Sequence, residues 1–345
     1  MSTENSNMLP EFKFPLAGQK ARELPMGWAK QATVADFPVS KNIAGVLMYL
    51  KPQGLRELHW HANAAEWGYV ISGNVRTTII NPDGQYETNE FKEGDIWYFP
   101  RGHGHSIEGL GPDGTTFMLV FDNGAFSEFA TFSITDWLAQ TPREIVSKNL
   151  NVDAADLDGL PDKEVYIVDI KEKLVSKKLN SSPLTHKYSL LSQNPLRNCD
   201  GGKLWLASSK VFPISTTMSG GILLLEPEAL RELHWHPNAD EWLYVISGKI
   251  RLTVFASSGL SSVNELSDSD IGYTPMGYGH SIENIGDEEC KLLIVFNSGV
   301  YEEISLSSWL ASNPDELVAA NLNLPPEVVR KFSNKETFIL SGRKK

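Results

Sequence analysis

The hexapeptide Arg-Glu-Leu-His-Trp-His occurs at residues 56–61 and returns at 231–236. In each copy a glutamate follows five residues after the second histidine (Glu66, Glu241), and a Pro-x-Gly-x-x-His turn comes later, at 100–105 and 275–280. His59 and His234, Glu66 and Glu241, and His105 and His280 are each 175 positions apart, so the register holds across the whole repeat. Six of the eight histidines lie in these motifs, which leaves few for any other role. Such a chain has to fold as two copies of one unit, each bringing three imidazoles and a carboxylate together.

At 345 residues there is room for two ordinary domains, each with its own core. The net charge is −12 and no cluster of Lys or Arg stands out, which argues against nucleic acid or an anionic membrane as partner. An anionic ligand would need local positive charge, from metal ions and a few arginines. Cys199 and Cys290 lie outside both motifs and are too few for a disulfide framework, so reduced thiols are expected. Residues 1–30 carry no basic patch followed by an apolar run and no twin-Arg pair, and nothing approaches the ~18 apolar residues of a membrane span. A soluble cytoplasmic protein is expected, or a secreted one whose presequence has been removed.

Residues 1–30 are polar and read as an extended arm, 31–155 as the first domain, 156–195 as a linker and 196–345 as the second domain. Short β-type runs dominate: 45–50, 66–71, 75–80, 96–99 and 116–121, repeated at 221–225, 241–246, 250–255, 271–273 and 291–296. Turn signals such as Ser72-Gly73-Asn74 and Asn81-Pro82-Asp83-Gly84 fall between them. This spacing predicts an all-β chain, with an antiparallel barrel or jelly roll in each half. A short helical tail follows each barrel, over 142–150 and 314–322. Thr141 is its expected cap, with Pro142 at the first helical position and Glu144 at the third, and Asn313-Pro314-Asp315-Glu316 repeats the arrangement.

Alternation along a strand puts His59 and His61 on one face and Trp60 on the other. Glu66 and His105 can close a metal site from neighbouring strands, leaving two positions of an octahedron open to a small ligand. A lone His-x-His pair is common among surface and core histidines; the complete set, present twice, is what points to metal. Trp60 and Trp235 face away and read as packing residues. His103 has Tyr278 in its place in the second copy and reads as local packing, and His186 carries no pattern.

The chain resembles the bicupin oxalate decarboxylases of the cupin superfamily. The residues that carry the resemblance are His59-x-His61-x4-Glu66-x6-Gly73 with Gly94-x5-Pro100-x-Gly102-x2-His105, and His234-x-His236-x4-Glu241-x6-Gly248 with Pro275-x-Gly277-x2-His280-x3-Asn284. Ser269 stands where the second copy should have glycine, and Gly109 where the first should have asparagine. The resemblance implies a duplicated cupin, a double-stranded β-helix barrel in each half, with two Mn(2+) per chain. It further implies dioxygen as a redox cofactor, oxalate as substrate, and a trimer or hexamer of identical chains. The ligands alone would accept Fe, Mn, Ni, Cu or Zn.

The copies differ after the last barrel strand. From Phe121 to Trp137 is 16 steps and from Phe296 to Trp309 is 13, so the first copy carries three extra residues around Phe126-Ser127-Glu128-Phe129-Ala130. A longer loop holding an acid can serve as a lid that brings a proton donor to the metal. In the family this place holds a Ser-Glu lid whose glutamate is the catalytic acid, which the resemblance assigns to Glu128, though Phe129 and Ala130 depart from the usual next residues. In the second copy Ile294 occupies the strand position where some relatives carry an acid, with Glu302 and Glu303 slightly downstream. Turnover is therefore expected at the first site, with the second metal auxiliary. Strict alternation turns Arg56 and Arg231 away from the metals; the resemblance places them in the pockets as substrate-binding groups, Arg56 also with a catalytic role, which requires a bulge or a strand that starts later. The expected reaction is oxalate to formate and carbon dioxide, with an oxalate oxidase or a non-catalytic metal-binding bicupin as alternatives.

Overall fold

The structure, a computed structural model, describes residues 9–126, 131–171, 182–333 and 336–342. The apolar runs form strands at or slightly beyond their expected limits: Ala44–Leu50, Ile96–Phe99 and Thr115–Phe121 in the first copy. In the second copy they are Ser219–Leu225, Glu241–Ser247, Lys249–Phe255, Asp270–Thr274 and Cys290–Phe296. Ala44–Leu50 and Ser219–Leu225 are buried at nearly every position because neighbouring layers cover both faces. Outer strands such as Ser261–Ser267 alternate between exposed and shielded residues.

All pairings are antiparallel, and among the described residues the second barrel has a seven-stranded and a six-stranded sheet. In the first barrel the corresponding sheets merge into one of twelve strands, because Glu66–Ile80 runs through both. Its first half pairs with Thr115–Phe121 and Ile96–Phe99, its second with Tyr86–Lys92 and Gly104–Gly109. The turn expected at Ser72-Gly73-Asn74 is therefore absent. Gly73 takes φ +79, and a Cβ there would lie 2.0 Å from the Gly114 carbonyl oxygen, so the residue bends the strand from one sheet into the next without reversing it. Ser269, at the expected glycine position, still takes φ +70, as Gly94 takes +84 in the first copy.

The tail helices are Arg143–Leu150 and Asp315–Leu322. Pro142 and Pro314 are their N-caps, so each helix starts one place later than expected, and neither helix has a side-chain cap. Thr141 instead closes a further helix, Ile134–Gln140, its hydroxyl donating to the Trp137 carbonyl at 2.7 Å. This helix and its repeat, Leu306–Ala311, start at Ser133 and Ser305, whose hydroxyls accept from the amides of Asp136 and Ser308.

The halves are interleaved. Lys13–Pro15 pairs with Asp270–Thr274 of the second barrel, and Lys187–Tyr188 pairs with Ile96–Phe99 of the first. Each barrel thus receives an edge strand from the segment that leads into the other. A shared core joins Trp67, Tyr69 and Tyr98 to Trp242, Tyr244 and Tyr273. Gly45 leaves room for it: a Cβ there would lie 2.4 Å from the Trp242 ring. Two further short strands, Ile167–Asp169 and Ile339–Leu340, pair with the motif strands Gly54–His61 and Leu230–Trp235. Both cysteines are free thiols, and no helix among the described residues is long and apolar enough to cross a membrane.

Candidate metal centres

His59 and His61 lie on Gly54–His61, Glu66 opens Glu66–Ile80, and His105 sits on Gly104–Gly109 directly across from His59. All four are buried, and their ligand atoms lie within 4.8 Å of one another; His234, His236, Glu241 and His280 form the same cluster in the second barrel.

The outer nitrogens fix how the rings are used. Nδ1 of His59 donates to the Glu57 carbonyl at 2.6 Å and Nδ1 of His105 to the His103 carbonyl at 2.9 Å. In the second barrel the Nδ1 acceptors are the carbonyls of Glu232, Glu302 and Tyr278, at 2.7, 2.8 and 3.1 Å. A carbonyl can only accept, so each of these Nδ1 atoms carries the proton and its Nε2 presents a lone pair inward. His61 Nδ1 meets the Thr131 hydroxyl at 2.9 Å. In the first site Glu66 Oε2 lies 3.2 Å from His61 Nε2 and 3.3 Å from His105 Nε2, and among the described residues His105 Nε2 is buried without a hydrogen-bond partner. Lone pairs converging on a carboxylate in a buried pocket call for a cation, and an N3O set suits a divalent transition metal. Burial lowers His61 to about 4 against the pull of Glu66. Burial would raise Glu66, but His105 and His61 outweigh it and hold the carboxyl well below the usual carboxylate range. His61 and Glu66 are thus deprotonated and ready for metal.

A one-residue bulge decides where the arginines go. Pairing runs Arg56↔Ile107 and then His59↔His105, so one extra residue sits on the motif strand, and Arg231↔Ile282 with His234↔His280 repeats it. Arg56 is consequently buried and lines a cavity of about 400 Å³ together with His59, His61, Phe126 and Tyr166. Its Nη1 donates to the Tyr166 carbonyl at 3.2 Å, and its guanidinium lies 4.1 Å above the Tyr166 ring.

Sequence reasoning missed Glu57. Its buried carboxylate accepts from the Thr135 hydroxyl at 2.6 Å and the Tyr166 amide at 2.7 Å, clasping the helix Ile134–Gln140 and the entry to the strand Ile167–Asp169 against the motif strand. Glu232 does the same with Ser307 at 2.6 Å and the Phe338 amide at 2.6 Å. The signal was the second letter of the hexapeptide, repeated in both copies. Trp60 stacks on Phe132 and meets Trp137 edge-on, and Trp235 meets Trp309, away from the ligands. His103 bonds the Arg101 carbonyl at 3.2 Å, a local contact. His186 pairs with Glu87 at 2.7 Å and anchors the segment that precedes the second barrel. Ser127 and Glu128 lie outside the described residues.

The chain matches the cupin family over residues 17–157 and 188–330. It is 43% identical over 318 residues to oxalate decarboxylase OxdC of Bacillus subtilis, covering 90% of this chain and 82% of that protein. It is 33% identical over 347 residues to a probable oxalate decarboxylase of Arthroderma benhamiae, covering 99% and 85% of the two. The chain is a bicupin of the oxalate decarboxylase family. A solved structure of Bacillus subtilis oxalate decarboxylase, from a study of that protein's Mn(II) centres, superposes on this bicupin with a TM-score of 0.92 at 39% identity, over 99% of this chain and 92% of the other.

The bicupin's two centres are not equal. Trp97 donates its indole N–H to Glu66 Oε1 at 2.8 Å, and Gly68 across the strand pair makes room for the ring. In the second barrel the pair is Leu243 and Gly272, so this position offers Glu241 no such donor. Arg231 donates to the Phe338 carbonyl at 3.2 Å and stacks 3.6 Å from that ring, as Arg56 does on Tyr166. It also forms a short ion pair with Glu303, whose Oε2 accepts from the Tyr301 hydroxyl. Burial raises Glu303 to about 7, against the opposing charge of Arg231.

Proposed function

We propose that this bicupin is a manganese-dependent oxalate decarboxylase, converting oxalate and one proton to formate and carbon dioxide at its first centre. The observation that carries the reading is Arg56, a buried guanidinium whose nearest carboxylates among the described residues, Glu57 and Glu164, are 3.9 Å away. It faces a small cavity shared with two of the metal ligands, so a chain of net charge −12 keeps an anion seat beside its cation. The names of the relatives point to the same substrate.

His59, His61, Glu66 and His105 would hold one manganese, and His234, His236, Glu241 and His280 a second. Manganese, with dioxygen as redox cofactor, would supply the one-electron chemistry that weakens the carbon–carbon bond of oxalate. Arg56 binds a carboxylate of the substrate and stabilises the charge that develops on it. Phe121 and Phe126, stacked at 3.7 Å, wall the cavity beside His61. Glu128 delivers the proton to the carbon that carbon dioxide leaves, so the added hydrogen ends as the C–H of formate. Turnover belongs to the barrel of residues 31–155.

Manganese-loaded protein given oxalate is expected to release formate, with peroxide assayed in parallel. Peroxide with carbon dioxide would instead mark an oxidase, and neither product would leave a metal-binding bicupin without this chemistry. Glu128→Ala is expected to lower formate production by about 10²–10⁴-fold at unchanged metal content; undiminished formate would remove Glu128 from the role. We also propose a homo-oligomer, a trimer or hexamer. Leu58 and Trp137 on the first barrel, and Leu233 and Trp309 on the second, form matching apolar faces on which each side chain is more than half exposed.

A further inference from the structure

Arg56 and Arg231 are equivalent residues with equal burial, each held by a carbonyl at 3.2 Å and an aromatic ring. They differ in what meets the free end of the guanidinium. Arg56 Nη2 has only Glu164 at 3.9 Å among the described carboxylates, and the side chain opens on the cavity. Arg231 Nη2 is bonded to Glu303 Oε2, which also receives the Tyr301 hydroxyl. The Glu303 side chain is 9% exposed. Tyr301 packs 5.6 Å from the His236 ring, so this carboxylate sits beside the second metal cluster. At Tyr301's place, five residues after the last strand's phenylalanine, the first copy has Phe126, which carries no hydroxyl.

Chain length explains why the acid stays there. Glu303 is seven residues after Phe296, the spacing that separates Glu128 from Phe121. Glu303 is, however, two residues before Ser305, which pairs with His234 on the motif strand, whereas Glu128 is five before Ser133, which pairs with His59. Two residues span about 7 Å when extended, which ties Glu303 close to the metal cluster.

We propose that the Glu303 carboxyl group occupies the seat of Arg231, so that the second centre does not take up a substrate carboxylate and one oxalate binds per chain. A tethered carboxylate in bonding position competes at an effective concentration far above that of a free dianion in solution. The inference rests on the proposed substrate and deepens it by assigning the inequality of the two centres to one side chain.

The test is calorimetric titration of protein carrying two manganese ions per chain, with oxalate and, separately, with formate as a general carboxylate probe. Wild type is expected to bind one oxalate per chain and Glu303→Ala two, at unchanged metal content. Formate likewise gains one site in the variant. Should the alanine variant fail to fold, Tyr301→Phe, which places the first copy's residue in the second, loosens the same contact and is expected to gain a second, weaker oxalate site. Two oxalates per wild-type chain would overturn the proposal, as would a folded variant that gains no site for either probe. Wild type that binds no oxalate would defeat the substrate assignment alone, because formate still reports whether Glu303 fills the seat.

Discussion

Replacing Trp97 with phenylalanine tests whether one hydrogen bond sets the first metal centre apart. The indole N–H lies 2.8 Å from Glu66 Oε1 in a pocket where both side chains are essentially inaccessible to water. A hydrogen bond to a charged acceptor contributes about 1.5–3 kcal/mol, and losing an outer partner of a metal ligand weakens binding about 10–100-fold, which is about 1.4–2.7 kcal/mol. The two figures agree, so the first site of Trp97→Phe should bind Mn(II) 10–100-fold more weakly, by the same principle. The second site, with Gly272 in that place, should stay within about twofold, since no partner of its ligands changes. The smaller ring also leaves a void, with a general stability cost of about 1–3 kcal/mol that denaturant unfolding of the metal-free protein measures separately. Titrating stripped protein with Mn(II) and resolving the two sites by their spectra gives the answer. Equal weakening of both sites, or of neither, would refute the argument.

Two further outcomes follow from the buried polar groups. Glu57→Ala strands the Tyr166 amide and the Thr135 hydroxyl beside Arg56, and should cost about 3–5 kcal/mol of unfolding free energy. Metal content of the folded protein should survive, since His59 uses the main-chain carbonyl of residue 57; metal loss without loss of stability would contradict the clasp. The second outcome concerns pH. Burial depresses His61 to about 4, below its unfolded value, and depresses His59 and His234 in the same direction. Stability from the neutral His61 ring is present above the unfolded histidine value of about 6.5 and is lost as pH falls through about 4, and His59 and His234 act in the same direction. The melting temperature of stripped protein should therefore fall between those limits while manganese-loaded protein holds further down; a flat profile for the stripped protein would count against neutral imidazoles.

Much of this was legible in the sequence because strand alternation and repeat spacing are local properties. His59, His61, Glu66 and His105 converge as their spacing required, and so does the second set. Arg56 was not readable from the residues alone, since a single bulged position reverses the face on which a side chain falls. Glu57 was missed because its partners, Thr135 and Tyr166, are 78 and 109 residues away. The apparent turn at Gly73 failed for a related reason: the same glycine conformation serves a reversal or a bend, and only the approach of the Gly114 carbonyl selects the bend. Glu303 carried a signal, its spacing from Phe296, that attention to Ile294 obscured.

The exchanged leader strands Lys13–Pro15 and Lys187–Tyr188 bear on how such a molecule is made. A ribosome finishing the first barrel holds a half-product with one sheet border bare until residues 187–188 emerge, while Lys13–Pro15 waits for residues 270–272. Severing the backbone between the halves would not yield two self-sufficient proteins. It would yield two fragments, each missing a border that the other carries, able to recover the native assembly only by finding one another.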